Sequence, residues 1–291
     1  RWGPIMGQDA DGTPLALAWI AQFPRAYNVN LMQFEHVSDV AAALDLAPQL
    51  GMPPQNLLVA DSAGQIGWTI AGNSIPLRSK IDPLLPSDWS RPDSGWQGWA
   101  TPAQYPRIEH PADARLWTAN NRTVDGAALA LLGDGGHDVG ARAQQIRDDL
   151  HARASFAPAD MLDIQLDDRA VFLGRWQQLL QQTLADSKEP ALQQMRRLTA
   201  DWRGRAAVDS VDYRLVRAFR NQVSETVLVP FVARVKQQHA DFSWPVPNSA
   251  EAAVWMLIQQ QPAWLLDPKY ANWHALLTDA ARRVADELGR Q

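Results

Sequence analysis

The spacing of apolar positions changes twice along the chain. Residues 15–20 form a short continuous apolar run behind the turn Asp9-Ala10-Asp11-Gly12-Thr13-Pro14, the pattern of a buried strand. Over residues 37–50 the apolar positions Val40, Ala43, Leu44 and Ala47 recur at helical spacing, and Gly51-Met52-Pro53-Pro54 ends that helix. Leu57-Leu58-Val59-Ala60 and Gln65-Ile66-Gly67-Trp68-Thr69-Ile70 then flank Asp61-Ser62-Ala63-Gly64, which predicts a β-hairpin.

From Pro76 to Pro111 the texture is different. Pro76, Pro83, Pro86, Pro92, Pro102, Pro106 and Pro111 interrupt any ladder or helix, with Trp89, Trp96 and Trp99 among them. This predicts a long ordered loop without backbone pairing of its own, lying across the strands and pinned by its tryptophans. Beyond Val139 the spacing is helical. Phe172, Trp176, Leu179 and Thr183 share one face, and so do Val216, Phe219, Val223 and Val227 until Pro230 intervenes. Residues 249–261 and 273–288 read as two further helices. Strands first and helices after make the fold class α+β, with a β-rich portion over 1–150, including the loop 76–111, and a mainly helical lobe over 151–291.

Composition narrows the function. The chain has 291 residues, 27 Lys plus Arg against 32 Asp plus Glu, and a net charge of -5, which argues against a nucleic-acid binder, since that needs a basic face to neutralise phosphates. Cys 0 excludes disulfides, thiolate zinc sites and a cysteine nucleophile within the chain. No apolar run approaches the ~18 residues that span a bilayer. Nine basic against four acidic side chains over residues 191–240 read as a solvated helix face. The opening Arg1-Trp2-Gly3-Pro4 has no signal-peptide pattern and reads as mid-strand text, the mark of an internal fragment of a larger precursor.

Generic motifs are missing. There is no Gly-x-Gly-x-x-Gly, no P-loop and no Gly-x-Ser-x-Gly elbow, and the six histidines show no metal-ligand spacing. Asp167 and Asp168 diverge on any helix, so they cannot share a proton. One segment is more specific, Leu116-Trp117-Thr118-Ala119-Asn120-Asn121-Arg122-Thr123. Asn is poor inside strands, so an apolar strand ending in two Asn residues suggests either a turn or cap, or an amide N–H presented to an oxyanion. On these residues alone the turn or cap is the stronger reading. Asn121-Arg122-Thr123 also matches a glycosylation sequon, a pattern short enough to arise by chance.

The order of features resembles the β-subunit of the penicillin acylase (penicillin amidase) family of N-terminal-nucleophile hydrolases. Arg1-Trp2-Gly3-Pro4-Ile5 is similar to that family's strand ending in Gly-Pro-Val/Ile, and the stretch from Leu57 to Trp68 resembles its hairpin. Gly72 to Arg78, Asp82-Pro83 and Trp96-Gln97-Gly98-Trp99 resemble its Pro- and Trp-containing loop. Thr118-Ala119-Asn120-Asn121 resembles its Thr-Ala-Asn-Asn signature, and Gly140-Ala141-Arg142 with Ile146 its helix start. Asp160-Met161 with Ile164-Gln165-Leu166-Asp167 resembles a further helix, and Asp201-Trp202-Arg203-Gly204 is a scrambled match to its Trp-Asp-Gly.

The resemblance implies part of an N-terminal-nucleophile αββα sandwich with antiparallel strands, followed by a helical lobe. It also implies an N-acyl amide hydrolase acting on penicillins or N-acyl homoserine lactones. A Ser freed by autocatalytic cleavage would be the nucleophile and its own α-amino group the base, both supplied by a segment outside this chain. Asn120 stands where the family's oxyanion-binding Asn stands, and Arg142 where its Arg orients that Asn and keeps the α-amino group neutral. The partners implied are the α-subunit and the remainder of the β-subunit, the compartment periplasmic or extracellular, and the fragment alone inactive. A structural calcium ion is implied through the Pro83 carbonyl; Leu131 occupies the register of a further ligand, and Asp134 would substitute after a small shift. No organic cofactor is expected. A non-catalytic module presenting aromatic faces from loop 76–111, or an inactive scaffold, is the alternative.

Overall fold

The apolar run near the start forms an exposed ribbon, not a buried strand. In the computed structural model, which describes residues 2–9, 11–133, 136–244 and 246–288, β1 (Ile5–Gln8) pairs antiparallel with β2 (Pro14–Ala16). Asp9 shapes the turn between them, its Oδ1 accepting from the Thr13 N–H at 2.8 Å. Most of both strands faces solvent, and one further backbone bond, from the Leu17 N–H to the Pro4 carbonyl at 2.9 Å, follows the ladder. A short apolar run promises burial only where a second layer covers it, and no described layer covers this two-stranded ribbon.

The following elements obey their local chemistry. α1 (Val40–Leu46) starts at Asp39, whose carboxylate accepts from the Ala42 N–H at 2.8 Å, and it buries Val40, Ala43, Leu44 and Leu46. β3 (Gln55–Ala60) and β4 (Ile66–Ala71) form the expected hairpin, in register from Gln55 opposite Ala71 to Ala60 opposite Ile66. Asp61 builds its turn, Oδ1 accepting from the N–H groups of Ala63 and Gln65 at 3.0 Å each. Trp68 is buried, and its indole N–H donates to Asn56 Oδ1 at 3.0 Å.

The proline-rich stretch is corrected most. It contains β5 (Pro76–Ser79), β6 (Gly95–Trp99) and β7 (Arg107–Glu109). β5 pairs with β6, and β7 adds to the free side of β4, giving a three-stranded antiparallel order β3-β4-β7. The prolines bound these ladders. Pro76 is the first residue of its strand and Pro106 immediately precedes another, places where a missing N–H costs little. The tryptophans do pin the segment: Trp96 packs 5.6 Å from Phe23, 5.5 Å from Trp89 and 5.7 Å from Trp99, centroid to centroid.

α2 (Gly126–Leu132) and α3 (Ala141–His151) complete the first of two compact units, Arg1–His151. The second unit, Ala152–Gln291, holds α4 (Pro158–Gln165), α5 (Gly174–Thr183), α6 (Pro190–Leu198), α7 (Val211–Gln238), α8 (Glu251–Gln260) and α9 (Trp273–Leu288). Trp176 and Leu180 from α5, Leu192 from α6, Val216, Phe219, Val223 and Val227 from α7, and Leu276 and Ala280 from α9 make one buried core. Phe172 falls in a single 3-10 turn before α5. Pro230 does not end α7, because proline removes one N–H while its neighbours keep theirs. Of the basic side chains over 191–240, Arg220 alone leaves the solvated-face pattern among the described residues: it is half-buried and donates to Glu251 Oε2 at 2.8 Å. The mixed architecture with antiparallel sheets is α+β.

Candidate functional site

No strand delivers Asn120. Residues 115–118 are irregular and without a sheet partner, and Ala119 and Asn120 form a bend in which Asn120 is exposed with φ at 62°. Asn tolerates this left-handed conformation better than most side chains. The segment is tied down piecewise. Leu116 and Val124 pack against the core around Trp68, Arg115 Nε donates to the Leu150 carbonyl at 3.0 Å, and Trp117 meets the His151 ring edge-on at 5.6 Å.

The two adjacent Asn residues divide their work. Asn121 does what a turn residue does, its Oδ1 accepting from the Ala119 N–H at 2.9 Å. The Asn120 side chain makes no such local bond and meets Arg142. Arg142 lies in the first turn of α3, and its Nη2 donates to the Ala119 carbonyl at 2.9 Å, to Asp138 Oδ2 at 2.8 Å and more distantly to Asn120 Oδ1 at 3.5 Å. A guanidinium only donates, so the Asn120 oxygen must be the atom that faces it, and the Nδ2 hydrogens are directed elsewhere. Among the described residues none accepts from that Nδ2. Chemically this is an amide N–H donor on a backbone fixed by its neighbours, with a cation behind its carbonyl.

Of the expected calcium ligands, Pro83 falls among the described residues. Pro83 lies in an exposed turn shaped by Asp82, whose Oδ1 accepts from the Leu84 N–H at 2.9 Å. Asp134 lies outside the described residues. The carbonyl of Leu131 accepts from Arg78 Nη1 at 2.8 Å, and that of Leu132 accepts from Nη2 at 3.0 Å. Among the described residues no three His, Cys, Asp or Glu side chains stand together as a metal site, and no step is routed through the ion. Arg78 and Asp138 escaped the sequence reading as interacting groups. Asp138 carried a signal, an acid four residues before a base; Arg78 carried none, since it is 53 residues from its partner.

A hollow of 710 Å³ is lined by Trp2, Leu15, Leu17, Pro83, Trp89 and Trp96, among others, and Asn120 is not part of its wall. The tryptophans of loop 76–111 are largely occupied with one another and with Phe23, which accounts for them as packing.

Comparison with known proteins settles the family. The penicillin amidase family model matches residues 1–291. The chain belongs to the penicillin amidase family. Among curated relatives, the penicillin acylase 2 proenzyme of Pseudomonas sp. strain SE83 is 26% identical over 99% of this chain and 37% of its own length. The acyl-homoserine lactone acylase QuiP of Pseudomonas aeruginosa is 30% identical over 47% of this chain and 16% of its own. Among solved structures, the thermostable penicillin G acylase of Alcaligenes faecalis superposes with a TM-score of 0.64 at 16% identity, over 100% of this chain and 57% of that one. The penicillin amidase chain therefore shares the fold of part of that penicillin G acylase. It spans little more than a third of the proenzyme it matches.

Proposed function

We propose that this chain is the oxyanion-binding portion of an N-acyl amide hydrolase whose nucleophile is an N-terminal Ser carried by a segment outside residues 1–291. The Asn120–Arg142 arrangement carries the reading: a left-handed Asn whose carbonyl faces a guanidinium and whose N–H donors are directed away from it. In the reaction, the Ser hydroxyl oxygen attacks the substrate amide carbon while the Ser α-amino group takes the hydroxyl proton. The carbonyl oxygen becomes an oxyanion, and Asn120 Nδ2 donates to it. The tetrahedral intermediate collapses, the C–N bond breaks, and the leaving nitrogen receives the proton that the α-amino group took. Water then attacks the acyl-enzyme by the same route and frees the acid and the Ser. Arg142 keeps positive charge near the α-amino group, which favours its neutral, basic form.

Names among the relatives support the substrate class: a penicillin acylase and acyl-homoserine lactone acylases. Both are N-acyl amides with a lactam or lactone ring beside the scissile nitrogen. By the same likeness the protein would work in the periplasm or outside the cell. No helix among the described residues is long and apolar enough to cross a membrane.

The full-length processed protein, incubated with benzylpenicillin and with N-acyl homoserine lactones of graded chain length, should release free amine from at least one of them. Intact-mass measurement during turnover should show the acyl group added to the chain that begins with Ser. No amine from any of them, or turnover by residues 1–291 alone, contradicts the proposal.

A further inference from the structure

We propose that Asp138 is a positioning residue for the Asn120–Arg142 pair, an inference that rests on the reading of Asn120 as the oxyanion donor. Asp138 holds both members at once through different groups. Its backbone N–H donates to the Asn120 carbonyl at 2.8 Å. Its Oδ2 accepts from Arg142 Nη2 at 2.8 Å, and its Oδ1 accepts from the Val139 N–H at 2.8 Å, which fixes the plane of the carboxylate.

The backbone bond matters because Asn120 has φ at 62°. A non-glycine residue stays there only when its neighbours over-determine the conformation, and the Asp138 N–H is one of the groups that do so. The side-chain bond matters because of hydrogen counting. Arg142 Nη2 carries two hydrogens and meets three oxygens. Asp138 Oδ2 at 2.8 Å and the Ala119 carbonyl at 2.9 Å take the short bonds, and Asn120 Oδ1 at 3.5 Å receives the long one. The guanidinium is therefore located by Asp138 and Ala119, and Asn120 is oriented by a cation that others hold in place.

Charge points the same way. Arg142 lies in the first turn of α3, where the helix dipole disfavours a cation. The Asp138 carboxylate offsets that cost with a charge-assisted bond. Asp138 needs no contact with the reacting atoms for this role; it acts through Asn120 and Arg142.

The test uses the full-length processed protein and an amide substrate that it hydrolyses, with kcat counted per titrated active site so that folding losses do not enter. Asp138→Asn keeps the shape and the backbone N–H but loses the charge. Its kcat should fall about tenfold, the change equivalent to about 1.4 kcal/mol of barrier, with KM within about twofold. Asp138→Glu should recover part of the loss. In an Asn120→Ala background, Asp138→Asn should cost less than about twofold more, because the residue through which it acts is gone. A wild-type kcat in Asp138→Asn, or the same tenfold loss with and without Asn120, overturns the assignment. If Asp138→Asn does not process, Asp138→Ser is read by the same criteria. Asn120→Ala alone separates the two readings: a wild-type rate there sinks the oxyanion role itself, whereas a crippled Asn120→Ala beside an unimpaired Asp138→Asn sinks only the role of Asp138.

Discussion

The indole N–H of Trp176 donates to Glu251 Oε1 at 2.8 Å, and both residues are buried. The same carboxylate accepts from Arg175 and from Arg220, and the Arg175 guanidinium lies 4.2 Å from the ring of Trp255. One acid thus joins α5, α7 and α8 inside the helical unit. Removing one member of a buried pair leaves the others uncompensated, typically at about 3–5 kcal/mol. Arg175 is partly exposed, so Glu251→Ala should destabilise near the lower end, about 3 kcal/mol, in urea unfolding. Glu251→Gln should lose less, because its amide oxygen still accepts from Trp176. A Glu251→Ala midpoint equal to wild type contradicts this account.

Arg78 closes the end of α2 with its guanidinium on two carbonyls, and Gly133 leaves the space for it. A Cβ on Gly133 would stand 2.7 Å from Arg78 Nη2, on a residue whose φ is 79°. Burial pulls the Arg78 guanidinium below its ordinary value, yet it stays charged at physiological pH. Arg78→Ala should cost about 1–2 kcal/mol through two orphaned carbonyls. Arg78→Lys should recover only part, since an ammonium lacks the flat fork. Gly133→Ala should be destabilising although it adds one methyl group. Thermal unfolding checks all three, and a neutral Gly133→Ala would show that Arg78 does not occupy this place.

The aromatic cluster allows a similar test. Gly95 has φ at 90°, and a Cβ there would lie 2.5 Å from the Trp89 ring. Gly95→Ala should therefore lower the melting temperature and shift tryptophan fluorescence to the red as Trp89 is displaced toward water. An unchanged emission spectrum would count against the packing described.

Acid should weaken the protein through Asp212. Burial pushes this carboxyl up, but the Ser210 hydroxyl, the N–H groups of Arg203 and Tyr213 and the charge of Arg203 outweigh it and hold the group below the usual carboxylate range. A carboxyl lowered in the folded state stabilises above its unfolded pKa, about 4, and that contribution disappears as pH falls through the lower folded value. Stability should thus be lost below about pH 4, and Asp212→Asn should be less stable at neutral pH with a shallower acid limb. An acid limb as steep in Asp212→Asn as in wild type contradicts this.

Local chemistry was legible and tertiary placement was not. The hairpin turn at Asp61, the helical spacing from Val40 to Ala47 and the apolar face Val216–Phe219–Val223–Val227 could be read because each rests on residues a few positions apart. The short strands starting at Pro76, Gly95 and Arg107 are hidden in the sequence because proline suggests an interruption where it marks a boundary. The ribbon at 14–16 is exposed although its run is apolar, because an apolar run carries no record of what covers it. Asn120 and Arg142 are identified by resemblance, and the strand expected before Asn120 is replaced by an irregular segment without a sheet partner. Asp138 stands four residues before Arg142, but nothing in that spacing shows that its N–H reaches Asn120.

The central claim is that Asn120 binds the oxyanion of amide hydrolysis, and steady-state kinetics of Asn120→Ala in the full-length processed enzyme test it most directly. Loss of one oxyanion donor should lower kcat by about 10²–10³, with KM changed only a few-fold, because the interaction exists chiefly in the transition state. Unfolding should stay close to wild type, as the side chain is exposed and its one bond is long. A processed, folded Asn120→Ala enzyme with wild-type kcat would contradict the account.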